Sequence, residues 1–284
     1  MNPAVSKGGR RGLVVFFVLL LVFLYAPIVI LIVFSFNDRQ LVSFPWQGFT
    51  LRWYRAFVEN AALLASIRTS AYVAFITAVV TSVLAIPASI ALARRRFFAK
   101  GFISGLLLAP LVIPLVVFGI SLLILFNTVG VVLSPMTIAI GHIVIALPFA
   151  ILTLVPRLER IPISLEEASR DLGAGAFVTF RSITFPLLAP AVVSAFLISF
   201  VISFDEVVIA SFVAGDEPTF PLYLFSQLRL PRQLPPVIAV AVIVMLTSAI
   251  VTVVSEVGRA LSGRALEREA AAIPDTVVEE ESTR

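Results

Sequence analysis

Two adjacent acids, Asp205 and Glu206, close a run of 23 residues, Ser182 to Phe204, that carries no charge. A carboxylate at the end of a stretch apolar enough to enter a bilayer is costly to keep there, and it is by default a functional candidate. Counted from Pro186, Asp205 stands 19 residues along, about 28 Å at 1.5 Å per residue of helix. The pair therefore belongs to the outer part of such a helix. Neighbouring helical residues point about 100° apart, so one of the two at most can face a pathway squarely. The competing structural use is that one acid reaches outer water or pairs with a basic residue of a neighbouring subunit. Reactive chemistry is otherwise sparse. The single histidine, His142, lies beside Gly141 in an apolar stretch with no carboxylate near it in sequence, the setting of a packed, neutral imidazole. There is no cysteine, which removes disulfides, thiolate metal sites and cysteine nucleophiles together.

Composition dictates the elements that must carry these residues. The 284 residues are 60% hydrophobic and 13% charged, with a mean hydropathy of +1.06. Soluble domains average about 45–50% apolar and about 25% charged. One compact core cannot hide this excess, and lipid is its natural solvent. A bilayer core of about 30 Å takes roughly 20 apolar residues of helix. Leu13–Phe34 offers 22, Thr69–Ala93 25, Ser182–Phe204 23 and Gln233–Ser255 23, all uncharged. Gly101–Pro156 runs for 56 residues without Asp, Glu, Lys or Arg. That is too long for one span and suits two, with Asn127-Thr128-Val129-Gly130 as the turn between them. The prediction is an all-α polytopic membrane protein with six transmembrane helices. The first run exceeds the h-region of a signal peptide, about 7–15 residues, and lacks a small-residue cleavage site, so it reads as a retained span. Pro27, Pro87, Pro110, Pro114, Pro148 and Pro190 lie within the spans, where each removes a helix hydrogen bond and invites a kink.

Charge placement orients the spans. Fifteen of the 21 Lys and Arg residues lie in the N-terminus, the second and fourth loops and the C-terminus, against six in the other segments. Both termini are therefore predicted to be cytoplasmic, with Ser262 inside and Asp216 outside. The net charge of +4 follows this topology; no basic face remains for nucleic acid. The organisation expected is a cytoplasmic N-terminus over 1–12, a six-span domain over 13–264 and a disordered, acidic cytoplasmic tail over 265–284. The outer loop from Asn37 to Asn60 is rich in aromatics (Phe44, Trp46, Phe49, Trp53, Tyr54), as in a segment anchored at the lipid–water interface.

The fourth loop, 157–186, is more than a polar connector. Ser164 followed by Glu167 has the spacing of a capping box, which predicts a two-turn helix over Leu165–Leu172. Gly173 then suits a left-handed stop, and a second short helix from about Ala176 leads to Pro186 at the start of the fifth span. A helix–turn–helix projecting from a membrane protein is a docking element.

Glu167-Ala168-Ser169, three residues, Gly173, nine residues and Ile183-Thr184-Phe185-Pro186 together resemble the EAA motif of ABC-importer permeases. That motif reads E-A-A, three residues, G, nine residues, I-x-L-P. Ser169 replaces the second alanine and Phe185 the leucine. Pro45-Trp46-Gln47-Gly48-Phe49-Thr50 with Trp53-Tyr54, and Ser203 to Val208 with Ser211-Phe212-Val213, are similar to the permease C subfamily of spermidine/putrescine importers. There the fifth span usually carries two aspartates where this chain has Asp205-Glu206. The resemblance extends from about Leu13 to Arg264. It implies a type I (MetI-like) permease fold in a bacterial inner (plasma) membrane and a non-catalytic subunit forming half of a translocation pathway. It further implies a second, related permease subunit, two cytoplasmic ATPase subunits and a periplasmic or extracellular solute-binding protein. No G-x-x-x-x-G-K-[ST] loop occurs, so ATP with its magnesium belongs to the ATPase and no cofactor to this chain. Glu167, Ala168, Ser169, Asp171, Leu172, Gly173, Ile183 and Pro186 are the implied coupling residues. For a polyamine, Asp205 and Glu206 would pair with ammonium groups, with cation–π contacts from Phe204 and Phe200. Permeases for opines and other small solutes share these features. A secondary transporter, the reading from another class, would more often show paired repeats, and none is visible.

Overall fold

Lipid offers backbone groups no partner, so the apolar runs can satisfy themselves only as helices. The computed structural model describes residues 7–39, 44–229, 234–247 and 250. Residues 1–6 of the expected N-terminus, the end of the sixth apolar run, Ser262 and the tail over 265–284 lie outside the described residues. In chain order the elements are α1 (Lys7–Phe34), α2 (Arg52–Glu59), α3 (Ala61–Arg94), α4 (Lys100–Leu108), a 3-10 turn (Ala109–Leu111) and α5 (Leu115–Thr128). There follow α6 (Pro135–Arg160), α7 (Ile163–Asp171), α8 (Ala176–Thr179), a π turn (Phe180–Thr184), α9 (Phe185–Asp205), α10 (Val208–Val213) and α11 (Phe220–Gln227). A last helix, α12, covers Leu234–Thr247. Among the described residues there is no strand, only an isolated bridge between Asn37 and Phe49.

Four helical segments are long and apolar enough to cross a bilayer: Arg11–Phe34, Ala61–Arg94, Pro135–Arg160 and Ala176–Asp205. The expected third span is bent instead of straight, with α4 and its 3-10 turn meeting α5 at 98°. Pro110 sits in that turn and Pro114 immediately precedes α5. Two missing N–H donors four residues apart break the ladder there. Of the sixth run, Leu234–Thr247 is described, as the 14 residues of α12. The turn expected at 127–130 is present: α5 stops at Thr128, and Gly130 takes a φ of +71°.

Among the described residues, those of 7–65 and 223–247 form one compact unit, and 66–222 another. In the first, the apolar side chains of α1 from Leu13 to Leu24 are exposed, as a helix among lipid tails can afford. The aromatic loop is a folded cap. Trp53 is buried and donates from Nε1 to the Asn37 carbonyl at 2.9 Å. Phe36 stacks on Phe49 and Tyr54 at 5.1 and 5.2 Å, and Gln47 N–H donates to Asn37 Oδ1. Phe44, Trp46 and Phe49 remain exposed.

In the second unit α6 is the axis. One apolar cluster joins Ile138, Ala139 and Ile145 of α6 to Val73 of α3, Leu122 and Phe126 of α5, and Ile209, Ala210 and Val213 of α10. A second joins Ala150, Ile151, Leu154 and Leu158 of α6 to Ala85 and Leu92 of α3, and Leu188 and Ala195 of α9. Gly141 makes the first cluster possible: a Cβ there would lie 2.8 Å from Ile209 Cγ2 and 2.9 Å from Leu122 Cδ1. Overlap of that size in a packed core costs about 1–3 kcal/mol.

Candidate functional site

The two acids at the end of α9 face different surroundings. Asp205 is the last helical residue; its side chain is exposed and accepts no hydrogen bond from any described residue. Glu206 turns extended (φ −73°, ψ 122°) and is buried. Both of its oxygens are engaged. Oε1 accepts Val208 N–H at 2.8 Å, and Oε2 accepts Ile209 and Ala210 N–H at 2.9 and 3.3 Å. The first N–H groups of a helix lack intrahelical partners, and this one carboxylate supplies three of them at the start of α10. Of the two acids, of which one at most was expected to face a pathway, Glu206 points into the protein, where the backbone it starts consumes its acceptors.

His142 completes this arrangement. Its Nε2 lies 3.1 Å from Glu206 Oε2 and its Nδ1 2.8 Å from Ser203 Oγ, which in turn lies 3.2 Å from Thr77 Oγ1. The ring is 0% exposed. The expectation of a packed histidine is met, but the absence of a carboxylate in the neighbouring sequence misled: Glu206 arrives from 64 residues away. Sequence carried one signal of it, an acid followed by a non-polar helix start.

On the inner side of Asp205, rings repeat every four residues along α9. Phe196 and Phe200 lie 6.5 Å apart, Phe200 and Phe204 6.0 Å, and Phe204 and Phe220 6.3 Å. The i, i+4 spacing places them on one helical face. Phe196, Phe200 and Phe204 are half-buried, so part of each ring is available to a passing group.

The 157–186 loop has the expected shape with a different fastening. The helix α7 begins at Ile163 behind Pro162 (φ −59°, ψ 130°), without a side-chain cap. The Ser164–Glu167 capping box does not form. Proline supplies the extended residue that precedes a helix, so the start moves two residues upstream and Ser164 falls inside the first turn. The stop is as expected. Gly173 adopts φ +85°, Ala174 N–H donates to the Ser169 carbonyl and Gly173 N–H to that of Arg170, the two bonds of a Schellman motif. Ser169 Oγ lies 3.1 Å from Thr179 Oγ1, tying α7 to α8. Glu167, Ala168 and Asp171 are exposed, Ile183 is half-buried in the π turn, and Pro186 lies in the first turn of α9.

The acid that holds this loop is Glu166, which sequence reasoning passed over in favour of its neighbour. Its Oε1 lies 3.3 Å from Arg94 Nη2 and accepts from Thr184 Oγ1, also at 3.3 Å. Arg94 Nη2 donates in addition to the Ile161 carbonyl at 2.8 Å. The two charged side chains are only 10% and 13% exposed. Around this anchor the loop bares apolar side chains, with Leu172 90% exposed and Phe177 72%.

Residues 85–257 match the family described as binding-protein-dependent transport system inner membrane component. This chain belongs to that family. It is a permease subunit of an ABC importer, a non-catalytic membrane component. Among curated proteins, this permease is 37% identical over 235 residues to the spermidine/putrescine transport system permease protein PotC of Escherichia coli (strain K12), covering 82% of this chain and 88% of the relative. Identity is also 37%, over 236 residues, to PotC of Haemophilus influenzae (strain ATCC 51907 / DSM 11121 / KW20 / Rd), covering 82% and 91%. It is 34% over 216 residues to the putrescine transport system permease protein PotI of Escherichia coli (strain K12), covering 73% and 76%. The permease superposes, with a TM-score of 0.70 and 19% identity, on a chain of a bacterial ABC transporter involved in the import of the acidic polysaccharide alginate, covering 90% of this chain and 99% of that one. At that identity the likeness concerns the fold, and it identifies the helical arrangement as that of an ABC permease. No cluster of His, Cys, Asp or Glu able to hold a metal is present among the described residues.

Proposed function

We propose that this permease forms half of the translocation pathway of a polyamine importer, with Asp205 and the rings of Phe204 and Phe200 as its cation-handling surface. The observation that carries the reading is the contrast at the end of α9: one acid is consumed internally, and the other is exposed and has no partner among the described residues, at the head of an aromatic ladder. An ammonium group is attracted both by a carboxylate and by ring faces within about 6 Å. The names of the PotC and PotI relatives support the same substrate class. Six spans, with α4–α5 as a bent third and α12 within the sixth, would enclose this half. A related second permease chain would supply the other half, and a periplasmic or extracellular solute-binding protein would deliver the substrate.

Energy would enter through the 157–186 loop from two cytoplasmic ATPase subunits that bind ATP and magnesium. Leu172 and Phe177 are the apolar contacts that a protein groove would cover, while Glu166, Arg94 and Thr184 hold α7 at a set angle to α3 and the π turn. Glu167, Ala168, Ser169, Asp171, Gly173, Ile183 and Pro186 complete the coupling element, whose shape depends on the Schellman stop at Gly173.

This reading places the loop in the cytoplasm, with both termini, and Asp216 outside. With no native cysteine, single thiols report the topology directly. An impermeant thiol reagent added to intact cells should label Asp216→Cys and spare Ser164→Cys; the reverse pattern contradicts the orientation.

A further inference from the structure

We propose that His142 is a positioning residue for transport: through Glu206 it clamps α10 to α6 and so fixes the elbow that directs Asp205 away from the core. The elbow has little else to define it. Glu206 and Val207 are non-helical, α10 is six residues long, and among the described residues its first three N–H groups, of Val208, Ile209 and Ala210, find their partner in the Glu206 carboxylate. An ionised carboxylate only accepts, so the His142 nitrogen facing it, Nε2, must carry a hydrogen. The other nitrogen reaches Ser203 on α9, and Ser203 reaches Thr77 on α3. Side chains of α3, α6 and α9 and the elbow leading into α10 thus meet at one buried ring.

The far end of α10 is held by the same helix. Thr137 Oγ1 of α6 lies 2.7 Å from the Val213 carbonyl and 2.6 Å from that of Ser134, its one hydrogen shared between them, and Gly141 admits Ile209 against α6. Clamped at both ends and packed between them, α10 must move with α6. The cytoplasmic end of α6, Arg160, is only three residues from the first residue of α7. From Arg160 to His142, 18 residues of unbroken helix, about 27 Å at 1.5 Å per residue, therefore run from the loop to the elbow. A shift of the loop that tilts α6 is delivered to Asp205 through His142, in the manner of a rigid element with two arrangements.

The inference rests on the pathway reading of Asp205 only for its consequence in uptake. Its test is independent of substrate. Asp205→Cys is the sole thiol of a permease assembled with its partner permease and ATPase, and its labelling rate is measured with and without ATP. The backgrounds are native His142, His142→Gln and His142→Leu. Glutamine can place an N–H where Nε2–H stands; leucine fills the space without a donor. In His142→Leu the labelling rate should change by about fivefold or more, the ratio for roughly 1 kcal/mol, and its response to ATP should disappear. His142→Gln should behave as native. If only His142→Leu fails to assemble, His142→Asn replaces it, since it keeps a group near Ser203 and loses the one near Glu206. Native labelling and ATP response in an assembled variant lacking the Glu206 bond overturns the proposal. So does failure of assembly in both His142→Leu and His142→Gln, which makes His142 a folding residue only. Normal uptake by Asp205→Asn would remove the pathway reading and leave this labelling result standing.

Discussion

Glu166→Lys is expected to abolish ATP-driven uptake while the permease remains in the membrane. The native carboxylate answers Arg94 at 3.3 Å in a site where both side chains are nearly buried, and it also accepts from Thr184. Removing one partner of such a pair costs about 3–5 kcal/mol, and lysine adds repulsion against Arg94. The loop must then leave its seat on α3 and the π turn. Only the ends of two spanning segments, at Arg94 and Thr184, are touched, so insertion should be unaffected. Glu167→Lys is the control that separates the two acids: Glu167 is exposed and caps nothing, so any loss there reports contact with the ATPase and not the loop's own shape. Gly173 provides a graded companion. Its Cβ would meet nothing within 4 Å, so substitution is penalised by φ alone, about 1–3 kcal/mol for a non-glycine residue. Asparagine, which tolerates the left-handed region, should retain more uptake than valine. Uptake measured beside ATPase association and membrane content checks all four variants, and normal uptake by Glu166→Lys would remove the loop from the coupling account.

The second large effect is expected at Asp205. Asp205→Asn keeps the shape of the side chain and removes its charge, and no bond to a described residue is lost because none is made. A hydrogen bond to a charged group is worth about 1.5–3 kcal/mol, which is roughly a 10- to 100-fold fall in rate if it is felt in the transport step. Spermidine uptake should fall by that order, with complex assembly and basal ATP hydrolysis retained. Glu206→Gln should act differently. It keeps the Asp205 carboxylate itself but weakens the start of α10 and the contact with His142 that fixes the elbow, so its loss should appear first as reduced thermal stability of the complex. Equal uptake by Asp205→Asn and the native chain would exclude a cation role for this carboxylate.

Much of this was legible before any coordinates. Uninterrupted apolar runs gave the helices, because length and charge alone decide what can cross lipid. Gly173 was readable because a glycine after a short capped helix has few other uses, and the Asn127–Gly130 turn for a similar reason. The 98° bend at Pro110 and Pro114 was legible only as a potential kink, since proline says where a ladder breaks and not how far it turns. The Ser164–Glu167 box failed because Pro162 offered an equally good helix start two residues earlier. Sequence placed Asp205 and Glu206 together but could not tell which faces inward; that depends on His142, whose meeting with Glu206 spans 64 residues. The choice of Glu166 over Glu167 likewise depends on Arg94, at the end of a different helix.

Reconstitution tests the central claim most directly. The permease, its partner permease, the ATPase and the solute-binding protein are placed in proteoliposomes, and uptake of labelled spermidine is followed with ATP on the cytoplasmic side. The account predicts ATP-dependent accumulation that requires the binding protein and disappears with Asp205→Asn. Accumulation that needs neither ATP nor binding protein, or a complex that takes up an anionic solute and ignores spermidine and putrescine, would contradict it.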